Sequence, residues 1–482
     1  GTGPLTGAVQ VAAGGARTCA LLQDGTVNCW GRNADGLLGS GSSEPIATRP
    51  QPVLTEAGAG RLGGVAAVTV GWNATCVVLT DGQGRCWGGA GGIVGDGTDT
   101  PQPRPRPLVD PFARTAIDGV AQVDAGNELA CASGAGRAQC WGLSALGNLD
   151  TWLSRSAVDV RNEDDTDRLS GVATVSAGGS HACAVLDDGR LRCWGANHEG
   201  EVGDGTTELR RLPTPVADVG GSGTLSDVVA VSAGDDRTCA LVVTGEARCW
   251  GANHEGQLGD GTTTRRTTPV VVLDETGSGP LDAIVDLAAD GNMTCAALDS
   301  GQVRCWGEDH VLPTAVPNPE GTGPLTDVVQ LSGGGDTTCA TLVDGEARCW
   351  DKRVLDGASS TTVVPDPAGA GPLTGVESIG RSANLTCALL GGGRVACWSA
   401  SNAVGQLGTL PPANTGRPTL VLDPETGLPL SGADDVAAHA DGACAVKDGN
   451  VLCWGLGVFG TLGDGTHAAA RFRPTLVRTS PT

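Results

Sequence analysis

The sequence has no tyrosine, three phenylalanines, one methionine and only two lysines, Lys352 and Lys447, against eleven tryptophans. Binding surfaces built on broad aromatic contact prize Tyr as well as Trp and Arg, so its absence argues against a large aromatic paratope. With 54 acidic against 31 basic residues the formal net charge is −23. That balance disfavours a nucleic-acid partner, because phosphate backbones are neutralised by Lys and Arg. No apolar run approaches the ~20 residues that span a bilayer, so no transmembrane segment is expected. A redox C-x-x-C motif, a phosphate loop and a Ser/His/Asp or paired-carboxylate arrangement are missing too, so neither catalysis nor a cofactor is expected. The first residue is Gly1 rather than Met, as expected of a processed or recombinant chain from which a leader or anchor has been removed.

What is present is a turn-rich chain of 482 residues with 77 Gly and 27 Pro, and 40% hydrophobic residues, mostly Val, Leu and Ala, enough to bury a core of β-structure. Nine copies of one pattern organise it. The second cysteine of each copy precedes a tryptophan: Cys29-Trp30, Cys86-Trp87, Cys140-Trp141, Cys193-Trp194, Cys249-Trp250, Cys305-Trp306, Cys349-Trp350, Cys397-Trp398 and Cys453-Trp454. The upstream partners are Cys19, Cys76, Cys131, Cys183, Cys239, Cys295, Cys339, Cys387 and Cys444, which leaves none of the 18 cysteines over.

Each copy carries four strand-like runs, exemplified by residues 228–234, 238–245, 246–253 and 267–273, punctuated by Gly, Asp or Asn. The first cysteine recurs every 44 to 57 residues. Four short antiparallel strands at that period predict an all-β propeller.

The pattern V-x-x-V-x-A-G, then A-L, then D-G-x-V-x-x-W-G-x-N-x-x-G-Q-L-G-x-G, then P-x-x-V runs from end to end and is nearly complete over Arg237 to Val272. It resembles the repeat of the regulator of chromosome condensation family. The resemblance implies a ring of four-stranded blades, usually seven. Nine units and a cysteine pair in each depart from that pattern. The spacing is continuous with no linker, so residues 1–482 are expected to form one domain, a closed ring of nine blades, with an open or divided ring as the alternative. If each P-x-x-V strand joins the following blade, as the family resemblance implies, residues 474–477 complete the first blade.

Seven cysteine pairs are ten positions apart and two, Cys131/Cys140 and Cys444/Cys453, nine. With Asp448-Gly449 as a two-residue loop, or a three-residue loop ending at Gly245, the cysteines face each other across an antiparallel hairpin at ~4.5 to 5.5 Å between Cα atoms, within disulfide reach. Nine hairpin disulfides are the expectation, and they imply an oxidising compartment. Reduced thiols and a metal site are the alternatives, although a metal favours C-x-x-C spacing and each hairpin offers only two thiols and no recurring His.

The nine Cys-Trp tryptophans are expected to wedge between blades. Light-sensing relatives cluster Trp near G-W-R-H-T; here Gly71 to Thr75 approaches that once, without the Arg or His. Asn197-His198-Glu199-Gly200 and Asn253-His254-Glu255-Gly256 invite a metal or base, but as copies of one turn on different blades they are not expected to converge. G-D-G-T, with one Asp, reads as a turn rather than a calcium loop. The run 162–167, denser in carboxylates, is the one place to look for a divalent cation. Asn73, Asn292 and Asn384 sit in glycosylation acceptor sequences just before a cysteine.

The template fails in repeats three, six and seven, which replace or lose the N-x-x-G-x-x-G-D-G excursion. A notch is expected beside the sixth and seventh units, and propeller loops on a rigid frame are where binding resides. The contact candidates are therefore Trp152, Asp309, His310, Asp351, Lys352 and Arg353. The expected role is an extracellular or cell-surface binding or scaffold propeller, monomeric, for a protein or glycan. Its alternatives are an inhibitor of a secreted enzyme and a guanine-nucleotide exchange factor for a small GTPase, the activity the resemblance implies; the acidic balance and cysteine pairs oppose the latter.

Overall fold

Among the described residues thirty-six short strands group into nine four-stranded antiparallel sheets, each contiguous in sequence, at 8–52, 65–107, 122–159, 172–215, 228–271, 284–315, 328–363, 376–420 and 433–476. This is a computed structural model. It describes the chain except residues 1–3, 15, 71–73, 90–93, 97, 99, 110–118, 126–128, 143–153, 235, 291–292, 320–322, 335–336, 352–360, 368–369, 382–384, 400–401, 410–416, 440–441, 458–460, 463, 467–469 and 479–482.

In the fifth blade the strands are Val228–Ala233, Arg237–Val242, Ala247–Gly251 and Arg266–Val271, paired in that order. First strands of neighbouring blades touch: Val11 N donates to Asp435 Oδ2 (3.2 Å), Ala233 N to Ser176 Oγ (3.1 Å) and Leu331 N to Asp286 Oδ2 (3.0 Å). The first strand therefore lies innermost and the fourth outermost.

No blade has a core of its own. Alternation along strands puts apolar residues on both faces of each sheet, and they meet the next blade in nine clusters, one per interface. Eight join consecutive blades, and the ninth joins the last blade to the first through Cys444, Val446, Leu462 and Val477 against Leu5, Val11, Leu22 and Trp30. That cluster closes the ring of nine blades.

Closure differs in detail from the sequence expectation. Ala470–Leu476 pairs with Asn450–Leu456 of its own blade, with Cys453 opposite Thr475, so residues 474–476 do not complete the first blade. The hairpin excursion returns each outer strand to the third strand it just left. What crosses over is the valine that follows. Val477 is fully buried in the first-blade interface, its carbonyl accepts from Leu5 N (2.9 Å), and Pro4 bridges Arg478.

All nine cysteine pairs are disulfides within hairpins, with Cα separations of 4.1 to 4.2 Å, and no free cysteine remains. The pairs lie in direct register, as at Cys239 opposite Cys249 and Cys444 opposite Cys453. Lys447 opposite Asn450 leaves Asp448-Gly449 as the two-residue loop, both at positive φ. Nine such bonds mark an oxidising compartment. No helix among the described residues is long and apolar enough to cross a membrane.

Candidate functional site

Between paired Gly251 and Arg266 the fifth blade inserts the excursion 252–265. Buried Asn253 latches it: Nδ2 donates to the carbonyls of Thr262 and Thr264 (both 3.0 Å), and Oδ1 accepts from Leu258 N (2.9 Å). Asp260 caps the G-D-G-T turn by accepting from Thr262 N and Oγ1 (3.0 and 2.7 Å), and pairs with Arg266 at 2.6 Å on the outer strand. Asp96, Asp204 and Asp464 repeat this with Arg106, Arg210 and Arg471. The G-D-G-T carboxylates are thus consumed by turns and ion pairs.

Each excursion also roofs the next blade. Gly256 lies so close to the outer strand of blade six that a Cβ there would sit 2.9 Å from Val311 Cα, and Gly259, at φ +65°, lies against the Trp306 ring. Trp306 is fully buried and donates its indole N–H to the carbonyl of Gln257 (2.9 Å) in blade five. Trp30 to Thr461, Trp87 to Leu37, Trp250 to Glu201 and Trp454 to Gln406 repeat the bond at 2.7 to 3.1 Å. The tryptophan wedge is therefore hydrogen-bonded by the preceding blade's loop, and the second glycine of G-Q-L-G is small because that ring passes over it.

A second polar tie uses the same carbonyl. Thr238 Oγ1 donates to Glu201 O (2.9 Å), which leaves its lone pairs to accept from His181 Nε2 (2.8 Å) of blade four. His181 is buried, its Nδ1 has no partner among the described residues, and desolvation holds the imidazole down to about 4. Arg17 takes the equivalent place in blade one, donating to Thr75 Oγ1 (3.1 Å) and Ala74 O (2.7 Å). Burial, with Arg32 adding, lowers it to about 10.

Blade six breaks the frame. Only Glu308 and Asp309, both at positive φ, lie between paired Gly307 and His310. No Gln-Leu-Gly loop remains to meet blade seven. Trp350, 2% exposed, has no partner for its Nε1 among the described residues. On the other side of the gap, Glu255 Oε2 is buried and equally unpartnered, while Asp309 N donates to the Glu255 carbonyl (2.8 Å). At this shortened turn Asp309 is exposed and His310 half-buried.

Of the six contact candidates Asp309 and His310 lie at this two-residue turn. Asp351 ends the third strand of blade seven opposite Thr337, its side chain outside the description; Lys352, Arg353 and Trp152 lie outside the described residues, as do Asn73, Asn292 and Asn384. The two His-Glu turns, expected not to converge, do meet across adjacent blades: His254 Nε2 lies 3.5 Å from Glu199 Oε2, and Arg265 donates to His198 O (3.1 Å). Neighbouring excursions abut, so equivalent turns on consecutive blades touch. Glu255 is the same carboxylate one blade on, where blade six supplies no excursion to meet it. In 162–167, Asn162 and Asp164 accept from Thr166 N (2.9 and 3.1 Å) and Asp165 pairs with Arg161 (3.1 Å). Those carboxylates are used by the turn, and no group of three or more potential metal-ligating residues is found among the described residues.

Two models of the regulator of chromosome condensation repeat match the sequence, one over 24–78, 188–241 and 245–298, the other over 8–37, 172–201 and 228–257. Residues 8–78 and 172–298 thus match the regulator of chromosome condensation repeat. Among curated relatives bearing this similarity, the human E3 ubiquitin-protein ligase HERC2 is 30% identical over 277 residues, 55% of this chain but 5% of that protein. The ultraviolet-B receptor UVR8 of Arabidopsis thaliana is 28% identical over 54% of this chain and 57% of its own length. The chain thus spans well under two thirds of these relatives. Among solved structures, Prp20p of Saccharomyces cerevisiae, described with its binding to Gsp1p and histones, is 18% identical, with TM-score 0.48 over 86% of this chain and 90% of that one. Human WBSCR16 is 18% identical, with TM-score 0.44 over 82% and 90%. The matched stretches lie in blades one, two, four, five and six and stop at residue 298, just before the sixth-blade deletion.

Proposed function

We propose that this is an extracellular or cell-surface binding propeller, monomeric and without catalysis, that engages a protein partner at the sixth-blade notch. The observation that carries this is the Trp350 indole N–H, buried and without a partner among the described residues in the blade that follows the shortened Glu308-Asp309 turn. A buried donor left unpaired costs about 1 to 3 kcal/mol, and a partner's carbonyl would relieve it. Glu255 and Asp309 add carboxylates that favour a cationic group on the partner. The nine disulfides support the oxidising location and oppose nucleotide exchange on a cytosolic GTPase. Inhibition of a secreted enzyme and recognition of a glycan are special cases of the same surface.

The test replaces Glu308-Asp309 with residues 252–265 of blade five, rebuilding the missing roof. The variant is expected to fold and to lose the partner that the wild-type chain recovers from secreted and envelope proteins. Undiminished recovery would contradict the notch as the binding site.

A further inference from the structure

The opposite face of the ring, where the first strand begins and the second turns into the third, carries an apolar arc that the core does not use. The first strands of blades five, six and seven each contain a bulge, after Val228, Ile284 and Val328. The bulged residues Val229, Val285 and Val329 are 54 to 57% exposed. Val243 and Val343, at the ends of the second strands of blades five and seven, are 67% and 72% exposed. Elsewhere the bulge position holds Ala66, Ala173, Glu377 or Asp434, and Val9 stands alone on blade one.

The valines stand on adjoining blades. Ile284 N donates to Gly245 O (2.8 Å) and Val328 N to Gly301 O (3.0 Å), so each blade's turn abuts the start of the next blade's first strand. Asp227, Asp282, Asp299, Asp327 and Asp344 stand exposed around the valines, and none has an ion-pair partner among the described residues. The segments 224–229, 243–246, 281–285, 299–302, 325–329 and 343–346 contain no Lys or Arg. The nearest arginines in the third strands are occupied, Arg248 by Glu246 (2.5 Å), Arg304 by Glu275 (3.3 Å) and Arg348 by Glu346 (2.5 Å).

Exposed apolar side chains grouped on one face and rimmed by charge mark an interaction site, and the sign of the rim selects the occupant. We infer that this valine arc docks a basic amphipathic segment of a partner protein, its apolar side chains on the valines and its Arg or Lys on the aspartate rim. The surface lies at the other end of the strands from the sixth-blade notch and stands without it. A second copy of this equally acidic chain would bring aspartate against aspartate.

The probe is a fluorescein-labelled synthetic peptide alternating Leu and Arg, titrated by anisotropy against the whole chain, with Leu/Glu and Ser/Arg peptides as controls. Saturable binding of the Leu/Arg peptide alone is expected. Val229→Ser/Val285→Ser/Val329→Ser and, separately, Asp227→Asn/Asp299→Asn/Asp344→Asn should each weaken it by roughly tenfold or more, while melting like the wild type. Added salt should weaken binding to the wild type. Unsaturable binding, or wild-type affinity in either triple variant, would overturn the inference. So would a dimer in sedimentation that the valine substitutions dissolve, which would assign the arc to a second copy.

Discussion

Trp306 donates its indole N–H to the carbonyl of Gln257 across the interface between blades five and six, at 2.9 Å. One interface further on, Trp350 is as buried and has no such acceptor among the described residues. Trp306→Phe should therefore cost about 1 to 2 kcal/mol more than Trp350→Phe, because only the former strands a carbonyl. Urea unfolding of the two variants makes the comparison. Equal losses would mean that the indole bond contributes nothing.

His181 ties blade four to Thr238 of blade five as a neutral imidazole. Burial depresses it from its ordinary 6.5 to about 4, so the unfolded chain takes up a proton in that interval and the folded chain does not. Stability is then full above 6.5 and falls as the pH drops toward 4, by about 3 kcal/mol for this group. In His181→Gln that part of the slope should vanish. A variant whose urea midpoint falls with pH as steeply as the wild type would remove His181 from the account.

Cys239 and Cys249 close a loop of about ten residues, for which the chain-entropy model gives about 2 to 3 kcal/mol. Double replacement with Ser should lower stability by no more than that, since the hairpin is also held by both neighbouring blades. Alkylation of the denatured, unreduced chain should label no cysteine. Multiple labelled cysteines would remove the argument for an oxidising compartment.

Leu5 is 2% exposed and packs with Val477 and Trp30 where the ring closes. Leu5→Ala should cost about 2 to 5 kcal/mol, as for any core leucine. A negligible change in the thermal midpoint would indicate that the first and last blades are not packed together.

The blade count, the four antiparallel strands per unit and the cysteine register were legible in the sequence, because hairpin geometry and a repeating Cys-Trp pair are local signals. The owner of the outer strand was not. Pro474 and its neighbours end one repeat and precede the next with equal spacing, and only hydrogen bonding to Asn450–Leu456 assigns them. The shortened sixth-blade turn was visible as a missing excursion. Its consequence at Trp350 was not, since that requires knowing that the loop of one blade accepts from the tryptophan of the next. The same inter-blade contact brings His254 to Glu199, against the expectation that copies on different blades stay apart. The valine arc escaped notice because Val229 reads as one more core residue until the bulge turns it outward.

The claim that function sits where the repeat fails is tested most directly by site-specific photo-crosslinking in the source cells. One photoreactive residue replaces Asp309 at the sixth-blade turn, another Asp274 in the turn between blades five and six. The account predicts a discrete protein adduct from position 309 and none from 274. No adduct from 309, or the same adduct from both, would contradict it.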